Sequence, residues 1–222
     1  MAKSAPKGVL TITTRNYSSW SLRGWLICRM AGVAFSERIL AADDPNARAE
    51  LLHLSPSFLV PKLEYDGMEV WDVLAIAEFL NEIKPESHLY PADMATRAHC
   101  RAISGEMHQG FVNLRSALPM NFKGHFPNFK IWAGVQGDIE RIVSIWRGCL
   151  RAYGGPFLFG AAPTVADAMY APVCSRFATY DVRLDQDVAA YRDHILAWAP
   201  MQEWAKAAQA EPEELEELDV EF

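Results

Sequence analysis

The sequence predicts an α/β region followed by an all-helical region. Strand and helix signals alternate over the first third of the chain in the order β-α-β-α-β-β-α, and no strand signal follows residue 92. Hydrophobic residues make up 50% of the 222 residues and charged residues 22%, as in globular proteins with a large core. We therefore expect one unit over residues 1–84, a connector over residues 85–92 and a helical unit over residues 93–222.

The first four elements follow from local patterns. A short β-branched run over residues 9–14 predicts a buried strand, and a serine-rich turn then leads into a helix over residues 22–30. A second strand is expected over residues 35–40. Residues 46–54 predict a second helix, which Pro56 would end.

The segment from residue 59 to residue 76 indicates a ligand-binding edge. Val60-Pro61 precedes a strand over residues 61–65, and Asp66-Gly67 predicts a tight turn into a strand over residues 68–71. Asp72 then opens a helix that reaches about residue 83, whose first N–H groups can hold an anion. The Val60-Pro61 bond is a candidate cis peptide, which would turn the backbone of Val60 toward a ligand.

The second part of the chain shows only helical periodicity. Apolar residues recur at helical spacing in two stretches, Ile103, Met107, Phe111, Leu114 and Leu118, then Ile139, Ile142, Trp146, Leu150 and Tyr153. We expect the first set to occupy one helix of about four turns. Thr164 and Asp167 form a predicted capping box in front of an apolar run over residues 168–173.

Charge and cysteine content exclude several classes of function. The formal net charge is −7, and the last twelve residues hold seven carboxylates and no basic residue. This balance disfavours nucleic acid or an anionic membrane as a partner. The cysteines, Cys28, Cys100, Cys149 and Cys174, lack metal-site spacing, so we expect free thiols and no metal. Residues 1–8 lack the apolar core of a signal peptide and no apolar run is long enough to span a bilayer, so we expect a cytoplasmic protein.

Four motifs together resemble the cytosolic glutathione S-transferase family, in its bacterial members. They are Ser18-Ser-Trp-Ser-Leu-Arg23, Val60-Pro61, Trp71-Asp72-Val-Leu-Ala-Ile76 and Thr164-Val-Ala-Asp167. The first is similar to the Ser-Ser-Cys-Ser-x-Arg signature of the zeta class, with Trp20 in place of the cysteine. The resemblance covers residues 9–207. It implies a thioredoxin-like, glutathione-binding N-terminal domain, a helical C-terminal domain, a cleft between them and a homodimer.

The serine motif carries the chemistry that this resemblance implies. A thiol with a pKa of about 8.5 is mostly protonated at neutral pH, and only the thiolate is a good nucleophile. A serine hydroxyl at a helix N-terminus can stabilise that anion. By resemblance Ser18 is the catalytic residue, and Ser19 and Ser21 are the neighbours most able to replace it. The alternative is that these serines only cap the helix.

The resemblance also assigns a glutathione site to Leu59, Val60, Pro61, Asp72 and Val73. Val60 would pair with the peptide backbone of glutathione, and Asp72 would accept from the γ-glutamyl ammonium as well as capping the helix. Val73 replaces the family's usual serine, and Leu59 stands where polar residues are common. Each lost charge-assisted hydrogen bond costs about 1.5–3 kcal/mol, so the two departures weaken binding by roughly two to four powers of ten.

A pocket for the second substrate is expected along the first long helix. The resemblance assigns it Met107, His108, Phe111 and Arg115. Core packing is the alternative for Met107 and Phe111, and a solvated surface is the alternative for His108 and Arg115. Arg23 either bridges to the second domain or is solvated.

Two functions follow from this pattern. The first is an enzyme that joins glutathione, as cosubstrate, to a small electrophile, or that uses glutathione to isomerise one. The second is a binding or interaction module with the same fold, without transferase activity and with a weakened glutathione site. Val73 and Leu59 motivate the second.

Overall fold

The computed structural model describes residues 8–40 and 60–212. Four strands form one sheet, in chain order β1 (Gly8–Ile12), β2 (Phe35–Ile39), β3 (Lys62–Tyr65) and β4 (Met68–Trp71). Their spatial order is β2-β1-β3-β4, with β1 parallel to β2 and antiparallel to β3. This is the mixed sheet of a thioredoxin-like domain, and the predicted fold class is confirmed. The helix predicted over residues 46–54 lies outside the described residues.

Eight α-helices are present in the described part of the chain. They are α1 (Ser19–Met30), α2 (Val73–Ile83), α3 (Met94–Gln109), α4 (Val112–Ala117), α5 (Ala133–Tyr153), α6 (Val165–Thr179), α7 (Gln186–Ala197) and α8 (Ala199–Gln209). Helix α2 packs against β4 and α1, and α1 also packs against α6, which belongs with the later helices to the second part of the molecule. The prediction of a helical second part is therefore confirmed.

The turn between β3 and β4 and the start of α1 were both predicted from local residues. Asp66 and Gly67 both have positive φ, 50° and 80°, as a two-residue type I′ hairpin turn requires, so the predicted turn is confirmed. Helix α1 was expected to begin at residue 22, but it begins at Ser19. The earlier start arises because the Ser18 side chain caps the helix by accepting a hydrogen bond from the N–H of Ser21.

The first long helix is shorter than predicted. Helix α3 ends at Gln109, Gly110 is extended, and Phe111 has a positive φ of 59° before α4 begins. A Cβ at Gly110 would lie 2.6 Å from the carbonyl oxygen of Glu106, so this close approach requires glycine. The apolar periodicity continues across the break because Leu114 and Leu118 remain fully buried, which is why the sequence predicted one helix.

Helix α6 is the centre of the core. Nearly all of its residues are buried, because it packs against α1 on one side and against α3 and α7 on others. The predicted capping box at its start is confirmed. Asp167 accepts from the N–H and hydroxyl of Thr164 at 2.8 and 3.0 Å, and also from Leu158 N–H and Tyr191.

The segment joining the two parts is itself part of the core. After a 3₁₀ turn over Pro85–Ser87, Leu89 and Tyr90 are buried. The carbonyl of Leu89 accepts a hydrogen bond from the N–H of Val165 at 2.9 Å, which ties the segment to the start of α6.

The four cysteines are free and buried. Burial raises the pKa of Cys28 and raises that of Cys100 to about 11, so these thiols stay protonated and unreactive near neutral pH. Within residues 8–40 and 60–212, no cluster of three or more metal-ligating side chains occurs. No helix in this part of the molecule is long and apolar enough to cross a membrane.

Candidate active site

The serines before and within α1 form a small buried network. Ser18 is the N-cap residue, and its hydroxyl donates to the hydroxyl oxygen of Ser21 at 2.9 Å. The N–H of Ser18 donates to the carbonyl of Thr14 at 3.2 Å, and the hydroxyl oxygen of Ser21 accepts from the N–H of Thr13 at 3.1 Å. Ser18 is only 3% exposed. Its O–H can rotate from Ser21 toward a ligand atom while its lone pair still caps the helix.

Ser19 has a different environment from Ser18. Its hydroxyl oxygen accepts a hydrogen bond from the guanidinium of Arg23 at 3.4 Å. Ser19 is the first residue of the helix and is buried. Of the two serines predicted to be catalytic, only Ser18 is the N-cap residue, whose side chain accepts from an N–H group of the first turn.

Arg23 bridges the two parts of the molecule. Its Nε donates to the carbonyl oxygen of Met169 in α6 at 2.8 Å, and the side chain is fully buried. The bridging alternative is therefore correct, and the solvated one is wrong.

A cluster of three arginines surrounds this bridge. Burial lowers the pKa of Arg23, and the charges of Arg115 and Arg176 lower it further. Burial and Arg115 also lower the pKa of Arg176 to about 9. One guanidinium nitrogen of Arg23 and one of Arg176 have no partner among the described residues. The interior next to the serines is therefore cationic, which favours an anionic group nearby.

Trp20 connects this cluster with residues predicted for the second-substrate pocket. The guanidinium carbons of Arg23 and Arg115 lie 4.8 and 5.4 Å from its ring centre. The ring of His108 meets it edge-on with a centroid distance of 5.1 Å. Trp20 was noted only as a replacement for a cysteine, and its central position was missed by the sequence reasoning. Arg176 was also missed, although a charged residue within an apolar helical run was a signal for it.

The backbone around Val60 has the predicted geometry. The Val60-Pro61 peptide is cis, and Val60 is buried. Pro61 packs directly on Gly24 of α1, because a Cβ at Gly24 would lie 2.5 Å from the Cβ of Pro61. The segment is thus held against the helix that carries the serines. Leu59 lies outside the described residues.

Asp72 caps α2 and pairs with His108. One carboxylate oxygen accepts from the N–H groups of Leu74 and Ala75 at 2.9 and 3.2 Å, and the other contacts Nε2 of His108. Burial opposes ionisation, but the hydrogen bond and charge of His108 and the two N–H groups outweigh it and hold the pKa of Asp72 below its ordinary value. Asp72 also has a positive φ of 71°, a conformation that costs about 1–3 kcal/mol in a residue other than glycine. Two residues predicted for separate sites are therefore brought together.

The other predicted pocket residues have structural partners. Arg115 donates through Nε and Nη2 to the carbonyl of Gly110, and Nη2 also donates to the carbonyl of His108 at 3.0 Å. It thus caps the carboxyl end of α3 and is half-buried, which is not the freely solvated side chain of the alternative. Met107 is fully buried and Phe111 is nearly so. Because α3 ends before Phe111, these residues do not share one continuous helix as expected. Val73 is fully buried at the first position of α2.

Known families match both parts of the chain. Residues 17–83 match the family described as glutathione S-transferase, N-terminal domain. Residues 129–199 match the family described as glutathione S-transferase, C-terminal domain.

Curated relatives include two kinds of enzyme. A probable maleylacetoacetate isomerase from Caenorhabditis elegans is 28% identical over 178 residues, 77% of this chain and 78% of the relative. Maleylacetoacetate isomerase from Rattus norvegicus is 27% identical over 183 residues, 81% of this chain and 82% of the relative. Glutathione S-transferase D7 from Drosophila melanogaster is 27% identical over 147 residues, 64% of this chain and 63% of the relative.

Solved structures share the fold over almost the whole chain. A glutathione transferase homologue from Burkholderia with bound glutathione has a TM-score of 0.67 at 21% identity, covering 91% of this chain and 97% of that one. Maleylacetoacetate isomerase from Anaeromyxobacter dehalogenans, with dicarboxyethyl glutathione and citrate in its active site, has a TM-score of 0.64 at 24% identity, covering 95% and 94%. Since the two family matches carry the two parts of one fold and together span more than half of the residues, the chain belongs to the glutathione S-transferase superfamily.

Proposed function

We propose that the protein is a glutathione-dependent enzyme in which Ser18 holds the thiolate of the cosubstrate. The observation that carries this proposal is the buried Ser18 hydroxyl at the N-terminus of α1. Lowering a thiol pKa by two units needs about 2.7 kcal/mol. One hydroxyl donor, the positive helix end and the cationic interior around Arg23 together can supply it.

Glutathione would lie along the segment that follows Val60. Val60 pairs with its peptide backbone, and Pro61 keeps this segment against α1. The N–H of Val73 donates to the γ-glutamyl carboxylate, and the carboxylate of Asp72 accepts from the γ-glutamyl ammonium. Bound glutathione in the homologue from Burkholderia supports this choice of cosubstrate. Leu59, which lies outside the described residues, stays a predicted glutathione-binding residue.

The geometry supports a weaker glutathione site than is usual in the family. Val73 has no hydroxyl to donate, and the oxygen of Asp72 that does not cap α2 is already engaged by His108. The ligand's ammonium must share that oxygen with the imidazole. A lost or shared charge-assisted hydrogen bond of this kind costs about 1.5–3 kcal/mol.

The second substrate would be a small electrophile bound beside Trp20. In conjugation, the thiolate attacks an electrophilic carbon and a C–S bond forms, while either a leaving group departs with the electron pair of its broken bond or a π bond breaks and its electron pair takes up a proton. We place His108 at the edge of this pocket and assign Met107 and Phe111 to its buried base. Arg115 supports the pocket through Trp20 and the end of α3 rather than through direct contact.

A second candidate reaction is glutathione-dependent isomerisation. The names of the relatives from Caenorhabditis elegans and Rattus norvegicus favour it. In this reaction the thiolate adds to a conjugated double bond, rotation takes place about the resulting single bond, and the C–S bond breaks as the double bond forms again. Glutathione is regenerated, so turnover without consumption of glutathione separates this reaction from conjugation.

Substitution of Ser18 tests the enzyme proposal. Ser18→Ala should raise the pKa of the bound thiol, seen as loss of thiolate absorbance near neutral pH, and should lower kcat by about tenfold to hundredfold. Ser36→Ala, at an exposed serine of β2, is the matched control and should change neither value. Unchanged turnover in Ser18→Ala would refute the assigned role.

The alternative is a binding or interaction module without transferase activity. The Asp72 and His108 pair and the apolar Val73 favour it. Calorimetric titration with glutathione separates the two functions. A dissociation constant far above millimolar would leave an enzyme without its cosubstrate and would favour the module. The homodimer and the cytoplasmic location stay predictions, and sedimentation analysis tests the first.

A further inference from the structure

The turn that precedes Ser18 binds a carboxylate from the far end of the chain. Glu211, two residues after α8, places its side chain against residues 14–16. Its Oε2 accepts from the hydroxyl of Thr14 at 2.7 Å and from the N–H groups of Arg15 and Asn16 at 2.8 and 3.2 Å. Its Oε1 accepts from the N–H of Arg15 at 2.9 Å and from its guanidinium at 3.3 Å. The Glu211 side chain is only 11% exposed.

This arrangement is a formed anion site that the chain fills itself. Backbone N–H groups of successive residues converge on one carboxylate, as they do in anion-binding turns. Hydrogen bonds to an ionised acceptor are roughly twice as strong as neutral ones. Thr14 is almost fully buried, so without Glu211 its hydroxyl would be held away from water without this acceptor.

Other groups fix the same turn from two further directions. The indole N–H of Trp204 in α8 donates to the carbonyl of Arg15 at 3.0 Å. The side-chain oxygen of Asn16 accepts from the N–H groups of Phe122 and Lys123 at 2.7 and 3.1 Å. Lys123 also donates through Nζ to the carbonyl of Glu211 at 2.7 Å. We call this assembly of residues 14–16, 122–123, Trp204 and Glu211 the C-terminal clamp.

The clamp connects directly to Ser18. The carbonyl of Thr14 accepts the hydrogen bond from the N–H of Ser18, and Thr13 donates to the hydroxyl oxygen of Ser21, the group to which Ser18 donates. Movement of the turn would therefore change both the backbone and the hydroxyl direction of Ser18. Glu211 itself does not touch Ser18.

We propose that Glu211 is a positioning residue for Ser18. By holding the turn at residues 14–16, it fixes the direction in which the Ser18 hydroxyl donates. This inference rests on the proposed function, in which that hydroxyl stabilises a thiolate. Misplacement of a catalytic group by about 1 Å can cost as much as a hundredfold in rate.

The test compares Glu211→Ala and Glu211→Gln with Glu203→Gln. Glu203 is a matched control because it also belongs to the C-terminal segment, is exposed and pairs only with Arg29 among the described residues. The pH profile of kcat with saturating glutathione and a chromogenic nitroaryl chloride is the main measurement. Glu211→Ala should lower kcat about tenfold or more and move the acidic limb to higher pH, because a misdirected hydroxyl stabilises the thiolate less. Glu211→Gln keeps one acceptor oxygen, so its kcat and its acidic limb should lie between those of Glu211→Ala and Glu203→Gln.

A purely structural role would have a different result. In that case Glu211→Ala would unfold at a lower temperature, but the acidic limb of the kcat pH profile of its folded fraction would coincide with that of Glu203→Gln. That result would overturn the proposal. Glu211→Gln keeps the test available if the alanine variant does not fold.

Amide hydrogen exchange provides a readout that does not need activity. Residues 14–18 should exchange faster in both Glu211 variants than in the wild-type protein, and at the wild-type rate in Glu203→Gln. Equal exchange in all proteins would overturn the clamp. If the wild-type protein shows no glutathione-dependent turnover, the proposed function fails, and the positioning role of Glu211 fails with it. The exchange measurement still decides in that case whether Glu211 holds the turn at residues 14–16.

Discussion

The contact between Gly24 and Pro61 gives a quantitative prediction for the variant Gly24→Ala. Gly24 lies inside α1, where alanine is favoured over glycine by about 1 kcal/mol. The new Cβ would lie 2.5 Å from Cβ and 2.7 Å from Cγ of Pro61, whereas carbon atoms pack at about 3.5–4.0 Å. The helix and the proline segment must therefore separate by about 1 Å. Overpacking of this kind costs about 1–3 kcal/mol, and the rigid proline ring places this case at the upper end.

The control for this variant is Gly148→Ala. Gly148 is an exposed position inside α5, and a Cβ there would have no atom within 4 Å. The propensity gain then remains without an overlap, so this variant should be more stable by about 1 kcal/mol. A change of 1 kcal/mol shifts Tm by about 2–4 °C in a protein of this size. We expect Gly148→Ala to raise Tm by that amount and Gly24→Ala to lower it by at least as much.

Thermal unfolding and glutathione titration measure the two consequences. Gly24→Ala should lose glutathione affinity because Val60 and Pro61 move away from α1, while Gly148→Ala should keep it. If Gly24→Ala is stabilised as much as Gly148→Ala, the close contact with Pro61 does not exist and the packing argument is refuted.

Three further predictions concern Asp72, His108 and Asp167. In calorimetry, His108→Leu should bind glutathione about twofold to fivefold more tightly than the wild-type protein, because it frees a carboxylate oxygen of Asp72. The gain is small because that oxygen is partly solvent-screened. Unchanged or weaker binding would contradict the proposed competition between His108 and the ligand. Because the pKa of Asp72 is lowered in the folded protein, the stability it provides is present above its ordinary value of 3.8 and is lost as the pH falls through its lower folded value. The difference in unfolding free energy between the wild-type protein and Asp72→Asn should thus shrink modestly from about pH 6 to about pH 3, and a growing difference would show that the sign is wrong. Asp167→Ala should lose more than about 3 kcal/mol in denaturant unfolding, because it leaves buried donors of Thr164, Leu158 and Tyr191 without their acceptor. The control Asp187→Ala removes an exposed, solvent-screened partner of Arg147 and should lose much less stability than Asp167→Ala.

Local sequence signals predicted the elements that depend on neighbouring residues. The turn at Asp66-Gly67, the cap at Asp72 and the capping box at Thr164 and Asp167 each need only residues within a few positions of one another. Short-range hydrogen bonding determines these features, so they can be read from the chain. The break at Gly110 was missed because its cause, the approach of the backbone to Glu106, leaves the apolar spacing unchanged.

The relations within the candidate site depend on tertiary contacts and could not be predicted in the same way. Asp72 and His108 are 36 positions apart, and their pairing requires α2 and α3 to pack side by side. The bond from Arg23 to Met169 spans 146 positions, and its acceptor is a backbone carbonyl that carries no side-chain signal. The contact of Glu211 with Asn16 spans 195 positions. Such pairs have no periodicity, so only the folded chain shows them.

The burial of Arg23 against α6 has an evolutionary consequence. The guanidinium of Arg23 in the first domain donates a hydrogen bond to the carbonyl of Met169 in the second, within a core that both domains share. An N-terminal domain recombined from a distant relative would have to bring an arginine of the same reach, or leave the carbonyl of Met169 buried without this donor. Gene fusions that exchange one half of this protein are therefore constrained at the α1 and α6 contact, and the two halves are expected to have diverged together.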